Sequence, residues 1–216
     1  MCKFLADTPL SEAKKGKAVL VPVGSLEDHG PLPLGLDTKI AERVACSVKD
    51  CLVSPSINYS FSPEHPHSVS IPLSVISEYL VQLTKQLYEL TSMPVIYVVA
   101  HKGAVPVVQA AVMESFKDGV RSAALDLWGV VESLGYKSFK EQCRAEASLA
   151  LALGYSVVVR KSKHLRSPPE LDGATIPWKS TEYGCSPEWV SGARKEEGEK
   201  LLEAMSHALE ELVNML

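Results

Sequence analysis

The run Pro94 to Ala100, PVIYVVA, most constrains what this chain can become. It is apolar throughout, rich in β-branched residues, and stops abruptly at His101, Lys102 and Gly103. Such a run reads as a strand buried on both faces. Lys17 to Val23 has the same form, with Ala18, Val19, Leu20 and Val21 followed by the breakers Gly24 and Ser25. Strands of this kind need helices on either side, and the intervening segments supply them. Ile40, Val44 and Val48 mark a helix over Asp37 to Asp50, and Ile76, Leu80, Leu83, Leu87 and Leu90 mark another over Ser74 to Thr91. Val105 to Lys117, Lys140 to Leu153 and Ala193 to Met215 also read as helices, while Leu52 to Val53 and Ala123 to Leu127 read as short strands. The alternation predicts an α/β fold with a mostly parallel central sheet, expected as a single domain over residues 1–216.

The two strand exits carry the chemistry. Between Val21 and Ile40 the chain reads VPVGSLEDHGPLPLGLDTKI, placing Glu27, His29 and Asp37 in a loop stiffened by Pro31 and Pro33, with Gly30 supplying backbone freedom. Asp37 or Thr38 is expected to cap the helix that follows. The second exit delivers His101. Open α/β sheets place ligands beyond the carboxyl ends of their strands, and carboxylate and imidazole suit Zn, Mn or Fe(II). Read alone, charged residues in such a Pro/Gly loop are most often solvated turn residues. Brought together, Glu27, His29, Asp37 and His101 would suffice for a mononuclear or dinuclear centre that activates water against an amide-like C–N bond.

Charge and cysteine content narrow the partners and the compartment. A net charge of -4 argues against nucleic acid, whose phosphates need a basic face. The basic run Arg160, Lys161, Lys163, His164 and Arg166 is short and reads as a solvated loop or a contact for a phosphorylated small molecule. Five cysteines, Cys2, Cys46, Cys51, Cys143 and Cys185, include no CxxC pair, and no secretory signal is evident, so free thiols in a cytoplasmic protein are expected. No apolar run approaches the roughly 20 residues that span a bilayer, so no membrane partner is expected.

Pro22 to Thr38 resembles the first motif of the creatininase (creatinine amidohydrolase) family, approximately PxGSxEQHGPHLPLGTDT. Further similarities follow in family order. Pro63-Glu64-His65 with Val69-Ser70-Ile71 resembles SxEHxxxPGTISL, and His101-Lys102-Gly103 resembles NGHGGN. Glu146-Ala147-Ser148-Leu149 with Leu151-Ala152-Leu153 resembles ETSLMLAL, and Ala193 to Leu202 is similar to the closing AxxEKGxxLL helix.

The resemblance implies a three-layer α/β/α sandwich and about two divalent ions per chain, Zn, Mn or Fe(II). Glu27 would bind one ion, His29 the other, Asp37 both, and His101 would join Glu27. It also implies a homo-oligomer, often a hexamer, acting on a small molecule. Three departures are visible. Glu27 to Asp37 spans ten positions where the family pattern spans eleven. Lys102 and Ala104 stand where NGHGGN has Gly and Asn, and Glu141 stands where the family has a catalytic His. At Gly103 some members carry a further Glu, and in those lacking it water or substrate fills the place. Glu146 and Glu141 are therefore the proton-carrying candidates, and His65 and Lys102 the substrate-binding ones; His67, His164 and His207 read as surface residues. The expected activity is metal-dependent hydrolysis of a non-peptide C–N bond, a cyclic amide or formamide. The specific expectation is a deformylase acting on a formylamino-ribosylaminopyrimidine monophosphate. Creatinine hydrolysis, the family's mycofactocin-maturation peptidase branch, and an impaired member that binds a metabolite or another subunit are the alternatives.

Overall fold

The computed structural model describes residues 2–157, 166–171 and 174–216. Strands β1 (Val19–Val23), β2 (Leu52–Val53), β3 (Val95–Val99) and β4 (Ser122–Asp126) form one parallel sheet in the order β2-β1-β3-β4. Val19 pairs with Val95 and Val23 with Val99; Val95 in turn pairs with Ser122 and Val99 with Asp126. The three long strands therefore finish level, and their exits open side by side on one edge.

Period-two alternation divides each strand between two cores. Val19, Val21, Val23, Val95, Tyr97 and Val99 enter one, where α2 (Leu73–Thr91) supplies Ile76, Leu80 and Leu87, and α3 (Val105–Phe116) supplies Val107, Val108 and Ala111. Leu20, Ile96 and Val98 enter the other, packed by α1 (Leu36–Ala45), α4 (Leu127–Ser133), α5 (Phe139–Ala152) and α7 (Lys195–Met215). Burial on both faces is why the strand sequences lack polar alternation. The result is the expected three-layer α/β/α sandwich with a parallel sheet.

Three expectations change. The first helix ends at Ala45 rather than Asp50, because Ser47 Oγ donates to the carbonyl of Val44 (2.6 Å) and Asp50 turns to φ 60°. Neither Asp37 nor Thr38 caps that helix: Gly35 holds the N-cap position, and Asp37 is the second residue of the first turn. The thiols are mostly not free. Cys2 is bonded to Cys46 and Cys143 to Cys185, with Cα separations of 4.8 and 5.5 Å, leaving Cys51 buried as a thiol. Pairing depends on distance in the fold, and partners 44 and 42 residues apart leave no spacing signature. The free-thiol argument for a cytoplasmic setting falls with it. Among the described residues no helix is long and apolar enough to cross a membrane.

The sequence also gives no sign of α6 (Pro187–Val190) or of α4, which begins where strand character was expected to end. Asp126 caps α4, its Oδ1 accepting from the N–H of Trp128 (2.9 Å), and the Trp128 indole donates to the carbonyl of Ala100 (2.6 Å). That bond ties the β4 exit to the β3 exit.

Candidate metal centre

The exit of β1 lies directly against the first turn of α1. A Cβ on Gly24 would sit 2.2 Å from the Thr38 amide nitrogen, so only glycine allows this approach. The loop is closed further on by the Glu27 N–H donating to the Leu34 carbonyl (3.0 Å). It turns at Gly30, whose φ is +64° and whose N–H donates to Asp28 Oδ1 (2.8 Å). The ten-residue spacing still delivers Asp37 to the centre: Ser25 Oγ donates to Asp37 Oδ2 (3.0 Å), and the same oxygen lies 3.2 Å from His101 Nδ1.

Glu27, Asp37 and His101 are 4, 3 and 3% exposed. His101 Nδ1 lies 3.4 Å from Glu27 Oε1, and His29 Nε2 lies 3.9 Å from both Glu27 Oε1 and Asp37 Oδ2. The outer nitrogen of each imidazole is engaged elsewhere. His101 Nε2 donates to the Phe61 carbonyl (3.0 Å), with Ser62 Oγ at 3.1 Å, and His29 Nδ1 faces Glu146 Oε1 at 2.6 Å. These bonds fix the tautomers, so that in the neutral rings each inward nitrogen presents a lone pair to carboxylate oxygens.

Lone pairs facing carboxylates in a buried site repel unless a cation lies between them. Protons can also serve, and the electrostatics of the cluster favour them. Burial opposes protonation of His29, yet the charges of Asp37, Glu146 and Glu27 raise it to about 10. His101 is likewise raised well above its usual value, against burial, by its bonds to Asp37 and Glu27. Glu27 falls to about 2: burial would raise it, but His101, His29 and His65 outweigh that. Two atoms of the cluster, Glu27 Oε2 and His29 Nε2, are buried with no hydrogen-bond partner among the described residues. Ligand atoms of Glu27, His29 and Asp37 lie within 4.8 Å of one another, as do those of Glu27, Glu64 and His101. Oxygen and imidazole donors converging on unsatisfied atoms fit a divalent metal.

The remaining site candidates divide. His65 enters the centre, with Nε2 3.5 Å from Glu27 Oε1 and Nδ1 buried and unpartnered among the described residues. Glu146 also reaches the centre, through His29. Glu141 does not: it forms a capping box with Ser138 at the exposed start of α5, its carboxylate accepting from the Ser138 N–H (2.9 Å) and Oγ (2.8 Å). Lys102 lines the rim, but its Nζ is bound to Glu132 (2.6 Å) and Gln142 (2.9 Å), so its charge is already compensated. Of the basic run, Arg160, Lys161, Lys163 and His164 lie outside the described residues. His67 and His207 are exposed, as expected.

Sequence reasoning missed the cleft wall. Trp178 sits edge-on to His65 (5.7 Å between centroids) and to Phe139 (6.0 Å), and Phe139 in turn meets Trp189 (6.4 Å). The segment carrying Trp178 is held over the cleft by the Ser180 N–H donating to the Glu64 carbonyl (2.8 Å) and by the Cys143–Cys185 bond. The only trace of this in the sequence is a tryptophan amid polar and proline residues, which carries no periodicity.

Comparison with known proteins extends the geometry. The family model described as Creatininase, creatinine amidohydrolase, matches residues 6–213. A curated relative, the mycofactocin precursor peptide peptidase of Mycolicibacterium smegmatis (strain ATCC 700084 / mc(2)155), is 40% identical over 107 residues. That match covers 44% of this chain and 43% of the relative, less than half of either. Among solved structures, a manganese form of creatininase superposes with a TM-score of 0.74 at 18% identity, covering 100% of this chain and 98% of the other. A second structure of creatinine amidohydrolase (creatininase) gives 0.71 at 19% identity, covering 99% and 97%. A mutant creatininase of Zn-Zn type gives 0.70 at 18%, covering 100% and 98%. At these identities the structures show a shared fold.

Proposed function

The chain belongs to the creatininase (creatinine amidohydrolase) family, and from that premise we propose that it is a divalent-metal-dependent amidohydrolase with two Zn or Mn ions per chain. The observation that carries this reading is the pair of orphaned buried atoms, Glu27 Oε2 and His29 Nε2, in a cluster whose imidazole nitrogens turn inward toward carboxylates. Bound there, the metal would supply a nucleophile from water near neutral pH and polarise the amide carbonyl.

The chain's own residues do the rest. Glu146 is a positioning residue: by accepting from His29 Nδ1 it aims Nε2 inward and raises the basicity of the ring. The Phe61 carbonyl does the same for His101. His65 borders both Glu27 and the aromatic wall, and its unpartnered Nδ1 is placed to hand a proton to the departing amine. Trp178 and Phe139 give the cleft flat apolar faces that exclude water and take a planar group beside the scissile amide.

Substrate choice follows from that wall. An amide carried on a ring, or the amide at an aromatic end of a short peptide, matches it. The formamide of a ribosylaminopyrimidine monophosphate fits the ring requirement. Its phosphate gains no support from Lys102, which is paired with Glu132. The peptide alternative draws support from the curated relative, whose name is that of a peptide peptidase.

The test is direct. Protein loaded with Mn or Zn is assayed for amine release from formylaminopyrimidines and from short peptides with aromatic residues, and for ring opening of cyclic amides including creatinine. Turnover of one class that disappears on chelation and returns with metal is expected. Full metal loading with no turnover of any class would instead favour a metabolite-binding member with lost chemistry.

A further inference from the structure

Glu64 is a carboxylate of the cleft to which neither the first motif nor the second strand exit assigns a role. It lies in the loop between β2 and α2, lines the cleft, and is half-buried. Its ligand atom falls within 4.8 Å of those of Glu27 and His101, forming a group that shares Glu27 with the Glu27, His29 and Asp37 group. Two donor groups hinged on one buried carboxylate describe two adjacent positions, and Glu64 belongs to the one beside His101.

Gly103 explains why the carboxylate comes from this loop. A Cβ at position 103 would lie 2.6 Å from His101 Nε2, 2.7 Å from the Phe61 carbonyl and 2.9 Å from Glu64 Oε1. Any side chain there is barred, and the volume it would take is filled in part by the Glu64 carboxylate itself. The backbone that carries Glu64 is held in place. Ser68 Oγ donates to the carbonyls of Ser62 (3.1 Å) and His65 (2.7 Å), and the Glu64 carbonyl accepts from the Ser180 N–H (2.8 Å). The donors point the same way. Glu27, Asp37 and Glu64 bring three carboxylates to the imidazoles of His29, His65 and His101, an oxygen and nitrogen donor set that suits divalent cations.

We propose that Glu64 is a metal ligand, supplying from the β2–α2 loop the carboxylate for which position 103 has no room. The inference rests on the metal-centre reading above. It goes beyond that reading in assigning a donor from a different segment of the chain.

The test uses Mn(II) alone as the probe. Metal-free wild-type protein is titrated with Mn(II) and the free ion is followed by electron paramagnetic resonance, giving the number of sites and their affinities. Glu64→Gln keeps the size of the side chain and removes its charge, while Glu64→Asp keeps the charge on a shorter stem. Thermal unfolding of each metal-free variant establishes that it is folded. Two Mn(II) ions are expected in the wild type. One is expected to weaken at least about tenfold in Glu64→Gln, less in Glu64→Asp, with the other within about twofold of wild type. Glu114→Gln, on the exposed surface of α3, is the carboxylate control and retains both affinities. Wild-type loading with unchanged affinities in folded Glu64→Gln overturns the role of Glu64 and leaves the metal-centre reading standing. Failure of the wild type to bind Mn(II) overturns both.

Discussion

His29 Nδ1 and Glu146 Oε1 meet at 2.6 Å across 117 residues of sequence, joining the loop after β1 to the middle of α5. The contact fixes which nitrogen of His29 faces the carboxylates, because Nδ1–H donates to Glu146 Oε1. Glu146→Gln keeps the size of the side chain but provides a neutral acceptor that can flip to offer its NH₂ instead. Metal affinity is expected to fall about 10- to 100-fold with the fold intact. Competition with a chelator of known affinity measures it, and an unchanged constant would remove Glu146 from the site.

Protons and metal compete for the same nitrogen. In the metal-free protein His29 is raised from 6.5 to about 10, so its protonation contributes stability that is complete below pH 6.5 and is lost as pH rises through 10. Glu27, lowered from 4.5 to about 2, contributes stability that is present above pH 4.5 and is lost as pH falls through 2. Metal-free protein should therefore be most stable between these limits, and at pH 7 metal must displace the His29 proton. Calorimetric titration in buffers of different ionisation enthalpy should reveal proton release on metal binding, from His101 as well as His29. Binding enthalpies independent of the buffer would contradict it.

The bond between Cys143 and Cys185 closes a chain segment with a sequence separation of 42 and pins the residues around Trp178 to α5. Chain-entropy reasoning gives it about 4 kcal/mol, as an upper value. Replacing both cysteines by serine should lower the denaturant midpoint, and reductant, which also opens Cys2–Cys46, should lower that of the wild type at least as far. Reductant that leaves the wild-type midpoint unmoved, with a double variant equally stable, would show that the tether does not matter to the fold.

Gly24→Ala forces a Cβ to within 2.2 Å of the Thr38 amide, so the β1 exit and the first turn of α1 must separate. Overpacking of this kind costs about 1–3 kcal/mol, and the same movement draws Asp37 away from His101. Stability and Mn(II) affinity should fall together. Gly35→Ala is the contrast, since a Cβ there meets only Leu26 Cδ1 at 3.9 Å and the backbone φ is -104°. Equal behaviour of the two variants in unfolding experiments would refute the crowding argument.

Much of the scaffold is legible in the chain. PVIYVVA and the run ending at Val23 could be read as buried strands because burial on both faces leaves no polar alternation, and the helices between them show through their three- and four-residue spacing. The resemblance carried by Glu27, His29, Asp37 and His101 named a donor set that the fold brings within a few ångströms, because the register levels the ends of β1 and β3. Glu141 shows the limit. A family position pointed to chemistry, but the local signal Ser138-x-x-Glu141 already spelled a capping box, and the nearer bond won.

What the sequence determined by itself was periodic or local: the strands and their exits, the helical faces, and the donors carried on two short loops. Pairings between distant segments were decided only in the folded chain. The Cys2–Cys46 and Cys143–Cys185 bonds, the Lys102–Glu132 pair, the aromatic wall of Trp178 and Phe139, and the approach of Glu64 to Gly103 all belong to that class. The reason is physical. A strand or helix is written in its own neighbours, whereas a contact between loops exists only once the sheet has fixed where each loop begins.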